Sequence, residues 1–102
     1  MHLLISKNIF DDQEFQISGP AKDLIFPSKN FKIMRISLKK GLEIKPHKGN
    51  HVVFFLVLKG KGLFISDSGE IELNKNDYIS LKENEPRGIK SLEDLIVLAI
   101  RD

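Results

Sequence analysis

The hydrophobic residues follow a two-residue period in some segments and form short unbroken runs in others, while helical periodicity is almost absent. In "KIMRISLK", one parity consists of Met34, Ile36 and Leu38, and the other parity carries Arg35 and Ser37. This alternation predicts a strand with one buried face and one mostly solvated face, because successive side chains of a strand point to opposite sides.

Two runs, "VVFFLVL" and "LIVLAI", are apolar on both parities and rich in β-branched residues. Such runs are typical of central strands that are covered on both faces. Shorter segments, "LFIS", "IEL" and "YISL", lie between turn signals such as "DSGE" and "NKND". Turn signals that recur every 8 to 12 residues are typical of a sandwich or a barrel. The pattern therefore predicts an all-β fold.

The first thirty residues contain the breakers "SGP" and "FPS" and lack a sustained period. We interpret residues 1–30 as an irregular N-terminal lead-in with one short edge strand and a weak helical turn near Lys22, and residues 31–102 as the barrel. A chain of 102 residues with 41% hydrophobic content is long enough for one core. The expected organisation is a single domain.

Composition narrows the function classes. The chain has no cysteine, so neither a disulfide framework nor a thiolate metal site is expected. The N-terminal "MHLLISKNIF" has too short an apolar patch for a signal-peptide core, and no stretch approaches a membrane span. These features predict a cytoplasmic protein without a membrane partner.

The net charge is only +2, but its distribution is uneven. Residues 29–61 carry nine basic residues and one acidic residue, whereas residues 62–102 carry nine acidic and five basic residues. If early strands pair with late strands, these opposite charges face each other across the sheet. Neither a recognition helix nor a set of exposed aromatic residues accompanies the basic block, and nucleic acid is therefore not an expected partner.

The segment "GLEIKPHKGNHVVFFLVLKG" resembles the first cupin motif, in which a glycine, a His-x-His pair, a glutamate and a second glycine follow at set intervals. Gly41, His47 and Gly60 fall in register with that motif. The segment "LNKNDYISLKENEPRGIK" resembles the second motif, and the likeness covers roughly residues 31 to 100. It implies a double-stranded β-helix, the jelly-roll or cupin barrel.

The same resemblance implies that the metal site of the family is degenerate here. Cupins commonly hold an ion with three histidines and a glutamate, and only His47 stands at such a position. Gly49 takes the place of the second histidine, Val53 that of the glutamate and Arg87 that of the last histidine. Glycine and valine offer no donor atom, and arginine is a permanent cation. No conventional catalytic metal or other cofactor is expected.

His51 keeps a metal alternative open. On an ideal strand it would lie about 13 Å from His47, but a bulge or a loop would bring the two imidazoles closer. The alternative is a metal-dependent enzyme of isomerase or dioxygenase type in which His47 and His51 bind Zn, Ni, Fe or Mn. Each histidine also has a structural interpretation: His47 hydrogen-bonded at the barrel mouth, His51 as a polar cap, and His2 as a solvated terminal residue.

Arg87 is the most informative substitution. If its side chain points inward, as the residue it replaces would, it places a cation beside His47 in a pocket lined by Val53 and Phe55. A desolvated guanidinium needs hydrogen-bond acceptors.

Those acceptors belong either to the chain or to a ligand. Candidates within the chain are the carboxylates of Glu83, Glu85 and Glu93, which are close in sequence. The alternative is the carboxylate or phosphate of a small ligand, which the guanidinium binds through two parallel hydrogen bonds.

Three function classes remain: a small-ligand-binding cupin barrel without a catalytic metal, an enzyme, and a structural or partner-binding module. The first is our prediction, with His47, Arg87, Val53 and Phe55 as ligand-binding residues. A homodimer is expected as well, because a small barrel leaves one sheet face in need of cover.

Overall fold

The computed structural model describes residues 3–102 and contains nine strands in that range and no helix. His2, for which a solvated position was predicted, lies outside the described residues. The strands are β1 (Ala21–Pro27), β2 (Lys32–Leu38), β3 (Glu43–His47), β4 (Val53–Lys59), β5 (Lys61–Ser66), β6 (Gly69–Asn74), β7 (Tyr78–Leu81), β8 (Arg87–Ser91) and β9 (Leu95–Arg101).

The strands form two antiparallel sheets. The five-stranded sheet has the order β1-β2-β9-β4-β7, and the four-stranded sheet has the order β3-β8-β5-β6. Both sheets contribute to a single hydrophobic core that includes Leu38, Phe55, Val57, Phe64 and Ile89. The predicted all-β, jelly-roll architecture is confirmed.

The two runs that are apolar on both parities are internal strands of the five-stranded sheet. β9 lies between β2 and β4, and β4 lies between β9 and β7. Leu95, Ile96 and Val97 are at most 1% exposed, so the first half of β9 is covered on both faces, as predicted for a central strand.

The face of β2 that was predicted to be solvated is buried, and that expectation was wrong. Arg35 is 4% and Ser37 0% exposed, because the N-terminal lead-in crosses this face. Arg35 Nη1 donates hydrogen bonds to the carbonyl oxygens of Ile9 (2.9 Å) and Asp11 (2.8 Å), and Gln13 Nε2 donates to Ser37 Oγ (3.1 Å). Polar contacts thus fasten the lead-in to the sheet.

The lead-in also contributes the edge strand β1, which pairs with β2. Lys22 belongs to this strand, so the helical turn predicted near it is wrong. The adjacent pairing with β2 imposes an extended backbone on a segment that carries no clear period of its own. Leu24, Ile25 and Phe26 of β1 remain exposed.

Gly60 makes the turn between β4 and β5. Its φ is +84°, and a Cβ at this position would lie 2.0 Å from the carbonyl oxygen of Asp94. Only glycine fits both the left-handed backbone and the close approach.

Among the described residues, no helix is long and apolar enough to span a membrane.

Candidate functional site

A cavity of about 370 Å³ opens between the two sheets, at the end of the barrel where β3 and β9 end and β4 and β8 begin. Most of its wall is apolar, and the apolar lining residues are Met34, Ile36, Ile44, Val53, Phe55, Ile89 and Ala99. Gly49 and five basic residues complete the wall: Lys22, His47, His51, Arg87 and Arg101.

All residues predicted from the sequence to form a site line this one cavity: His47, His51, Val53, Phe55 and Arg87. Val53 and Phe55 share the inward parity of β4 and are buried. His47 is the last residue of β3, and Arg87 is the first residue of β8. Side chains separated by up to 40 positions in sequence are therefore neighbours around one opening.

The guanidinium of Arg87 is held over the cavity by main-chain carbonyl groups. Arg87 pairs with His47 across the two strands, so their side chains project to the same side of the sheet. Arg87 is 8% exposed. Its Nε and Nη2 donate to the carbonyl oxygen of Glu85 (3.3 and 3.1 Å), and Nη2 also donates to that of Lys82 (3.0 Å).

The acceptors are internal, but they are not the carboxylates that were considered from the sequence. None of the ion pairs within residues 3–102 includes Arg87, and Glu93 pairs instead with Lys61 at 4.0 Å. The Glu85 carboxylate accepts from the backbone N–H of Lys82 instead. Carbonyl groups bear no net charge, and no carboxylate of residues 3–102 lies within 4.0 Å of the guanidinium of Arg87. Within the described chain, its Nη1 also has no hydrogen-bond partner.

Gly49 provides the space for this guanidinium. A Cβ at residue 49 would lie 3.1 Å from Arg87 Cζ and 3.2 Å from Nη1, which is closer than ordinary van der Waals contact. The guanidinium therefore fills the volume that a side chain at residue 49 would enter. A histidine at residue 49 would collide with Arg87 as it stands.

The two cavity histidines have different surroundings. His47 is exposed, and its Nδ1 lies 3.2 Å from the carbonyl oxygen of Lys45; a carbonyl only accepts, so a hydrogen bond here is donated by Nδ1. His51 is half-buried in the loop between β3 and β4, with Nδ1 3.7 Å from Asp102 Oδ1. Because His51 does not continue β3, the separation expected for an ideal strand does not apply.

The side chains present do not fit the four-ligand metal site of the cupin motif. Within residues 3–102, no three histidine, cysteine, aspartate or glutamate side chains come together in a group that could hold an ion. His47 and His51 remain the two available nitrogen donors at the cavity, and Arg87 shares the same wall.

Two lining residues, Lys22 and Arg101, were missed from the sequence. Arg101 ends β9 opposite Val53, and it shares the inward parity of Val97 and Ala99, a signal that could have identified it. Lys22 lies in the segment interpreted as irregular, so the sequence did not indicate on which side of a strand its side chain would lie. With them, the cavity wall carries two arginines, one lysine, two imidazoles and no carboxylate.

Comparison with known proteins supports the fold. No family model and no curated protein matches the sequence. Among solved structures, an RmlC-like cupin from Desulfovibrio desulfuricans is 25% identical over 97% of this chain and 96% of its own length, with a TM-score of 0.87. KdgF from a Halomonas species is 18% identical, with 94% and 93% of the two chains covered and a TM-score of 0.81.

A cupin 2 conserved barrel domain protein from Leptotrichia buccalis is 23% identical over 92% of this chain and 46% of its own, with a TM-score of 0.83. Two antiparallel sheets around one core define a single-domain double-stranded β-helix. With these structural neighbours, the chain has the fold of the cupin superfamily.

Proposed function

We propose that the protein binds a small organic anion in the barrel cavity without a conventional catalytic metal. Arg87 would hold the carboxylate or phosphate of the ligand, and His47 would supply a second polar contact. The observation that carries this proposal is the state of Arg87: its guanidinium is 8% exposed, lines the cavity and has a free Nη1 donor, with no carboxylate of residues 3–102 within 4.0 Å.

The physical argument concerns the cost of burying a charge. A guanidinium removed from water is stabilised more by an anion than by neutral carbonyls, because an anion adds the attraction between opposite net charges to the hydrogen bonds. The carbonyl groups of Glu85 and Lys82 fix the orientation of Arg87. They leave one edge of the group available for a ligand.

The remaining wall suits an organic ligand rather than a bare inorganic ion. Its apolar side chains include Ile36, Phe55 and Ile89, and they would cover the hydrocarbon part of a ligand. The volume of about 370 Å³ falls in the usual range for small-molecule sites, roughly 300–1,000 Å³. An apolar wall with a few placed polar groups is the usual design of such sites.

The competing function is a metal-dependent enzyme that uses His47 and His51. One observation favours it, since both imidazoles line the same cavity. It has less support than anion binding because the guanidinium of Arg87 in the same wall would repel a divalent cation. The available nitrogen donors also fall short of the three or more protein ligands that catalytic zinc usually takes.

We also propose a homodimer, as expected from the sequence. Its support is the edge strand β1, on which Leu24, Ile25 and Phe26 are exposed. Unpaired edge strands with apolar side chains are surfaces that proteins commonly cover.

The cytoplasmic location stays a prediction from the sequence.

Thermal-shift measurements with a panel of small carboxylates and phosphate esters test the proposed function. Arg87→Met removes the charge, and Lys90→Met is the matched control because Lys90 lies on the same strand but is exposed and outside the cavity lining. We expect a ligand that raises the melting temperature of the wild type and of Lys90→Met but not of Arg87→Met. Equal stabilisation of all three proteins, or no stabilising anion at all, would overturn the proposal.

Elemental analysis of protein purified without a histidine tag tests the metal alternative. The proposal predicts well under one tightly bound ion per chain after incubation with zinc, nickel, iron or manganese. Stoichiometric metal that disappears in the His47→Ala, His51→Ala double variant would favour the enzyme instead.

A further inference from the structure

The cavity wall is more basic than the chain as a whole. The full sequence has 16 lysines and arginines against 14 acidic residues, yet the wall has Lys22, Arg87 and Arg101 and no acidic residue. Composition alone does not account for this segregation. The wall is a local concentration of positive charge beside an apolar interior.

The three cations approach the cavity from both sheets. Arg87 belongs to the four-stranded sheet, whereas Lys22 and Arg101 belong to β1 and β9 of the five-stranded sheet. Lys22 pairs with Ile36, and Arg101 pairs with Val53. Both partners line the cavity, so Lys22 and Arg101 stand on its inner face and Arg87 is on the opposite sheet.

Neither Lys22 nor Arg101 has the carboxylate of an Asp or Glu side chain of the described residues within 4.0 Å. The ion pairs of residues 3–102 include neither of them. Arg101 Nη1 donates a long hydrogen bond, 3.5 Å, to the main-chain oxygen of Asp102. The carboxylate of Asp102 lies against His51 and accepts the backbone N–H of Val52.

Like charges that share a cavity repel each other, and the repulsion grows as water is excluded. A ligand with one negative charge at Arg87 leaves the charges of Lys22 and Arg101 uncompensated. A second negative charge on the ligand would be attracted by both. The cavity should therefore favour a doubly charged ligand over a singly charged one of the same size.

We infer that the ligand is an organic dianion with an apolar body, and that Arg101, assisted by Lys22, selects for its second negative charge. This inference rests on the proposed function and deepens it. A dicarboxylate and a phosphate monoester both have the required chemistry, since a phosphate monoester carries a charge of about −1.5 to −2 at neutral pH. Arg87 binds the first charge, and Arg101 determines specificity.

Calorimetric titration with hexanoate, adipate and hexyl phosphate tests the inference. Hexanoate and adipate have the same carbon number and differ by one carboxylate. We expect the wild type to bind adipate, hexyl phosphate or both at least about tenfold more tightly than hexanoate at low ionic strength, which corresponds to one well-placed charge contact. A preference for adipate alone indicates two separated charges, and a preference for hexyl phosphate alone indicates one doubly charged head group.

The variant Arg101→Met should lose most of the preference for dianions, so that the ratio between its affinities for the dianions and for hexanoate falls towards one, and a cooperative thermal unfolding transition shows that the variant is folded. Lys32→Met is the matched control, because Lys32 is the cross-strand neighbour of Arg101 on β2 but is exposed and outside the cavity lining. It should keep the preference. Lys22→Met should reduce the preference in part.

The possible failures are distinguishable. If hexanoate binds as tightly as both dianions, or if Arg101→Met leaves the preference unchanged, the inference on Arg101 is wrong. The proposed function then still stands, provided that Arg87→Met abolishes hexanoate binding. If none of the three compounds binds to the wild type, both the inference and the proposed function fail.

Discussion

The substitution Gly49→Ala tests the packing that places Arg87 at the cavity. The added methyl group would lie 3.1 Å from Arg87 Cζ, 3.2 Å from Nη1 and 3.3 Å from Nε. These distances are tighter than most contacts of a Cβ atom, so the guanidinium must retreat by a few tenths of an ångström. The retreat is opposed by the hydrogen bonds to the carbonyl oxygens of Glu85 and Lys82.

The expected cost follows from these contacts. The Nε bond to Glu85 is already 3.3 Å long, and a shift of a few tenths takes it out of hydrogen-bonding range. Overpacking of a well-filled site costs about 1–3 kcal/mol, and we expect Gly49→Ala to fall near 1 kcal/mol because the guanidinium is the end of a long side chain. In a domain of about 100 residues this lowers the melting temperature by about 4–8 °C.

A double-mutant cycle isolates the contact. Gly49→Ala is measured in the wild-type background and in Arg87→Ala, where the guanidinium is gone, by urea or thermal unfolding. The cost of the methyl group should largely disappear in the second background. Gly19→Ala is the control, since a Cβ at Gly19 meets nothing within 4 Å. A cost that is the same in both backgrounds, or no larger than that of Gly19→Ala, would refute the proposed packing.

Two further substitutions test the fold around the site. Gly60→Ala should lower the free energy of unfolding, measured with urea, by more than about 2 kcal/mol, because its Cβ would meet the carbonyl oxygen of Asp94 at 2.0 Å. Gly69→Ala is the control: Gly69 also has a positive φ but has open space around it, and its substitution should cost only about 1 kcal/mol. Similar losses in the two variants would contradict the role of the contact with Asp94. Arg35→Met removes the hydrogen bonds that fasten the lead-in, so the amides of residues 8–13 should exchange faster while those of β9 keep their protection, and unchanged exchange would show that the lead-in is held by other contacts.

Side-chain periodicity was sufficient to predict the fold because the pattern reports directly on which side of a strand is buried. The run "LIVLAI" is apolar on both parities and forms the strand with the most completely buried segment. The alternation in "KIMRISLK" correctly placed Ile36 and Leu38 in the core. Those predictions needed only the local sequence.

The same reasoning failed where the burial depends on a distant segment. The outer parity of β2, with Arg35 and Ser37, has the composition of a solvated face, and only the path of the lead-in makes it a buried one. A buried arginine is tolerated there because the Asp23 carboxylate pairs with its Nη2 at 3.0 Å, and the carbonyl oxygens of Ile9 and Asp11 accept hydrogen bonds from its Nη1. Every residue has a carbonyl group, so no side-chain pattern marks these acceptors in advance.

The hydrogen-bond acceptors of Arg87 at the cavity were missed for the same reason, because they too are main-chain carbonyl groups. The sequence suggested carboxylates as acceptors because carboxylates are visible in a sequence, but the loop between β7 and β8 turns the carbonyl groups of Lys82 and Glu85 towards the guanidinium instead. Alignment with the cupin motif singled out Arg87 and Val53, and both residues line the cavity. It had no means of adding Lys22 and Arg101, which lie outside both motifs.

The departures from the cupin motif at residues 49 and 87 form one structural change rather than two independent losses. The guanidinium of Arg87 can lie where it does only because residue 49 has no side chain. With a histidine at residue 49, the arginine would have to leave the carbonyl oxygens that hold it. With a smaller residue at position 87, the space beside Gly49 would be left unfilled, and unfilled volume in a packed wall is destabilising. The glycine and the arginine therefore fit each other, and together they replace two nitrogen donors of the motif by one fixed positive charge at the cavity.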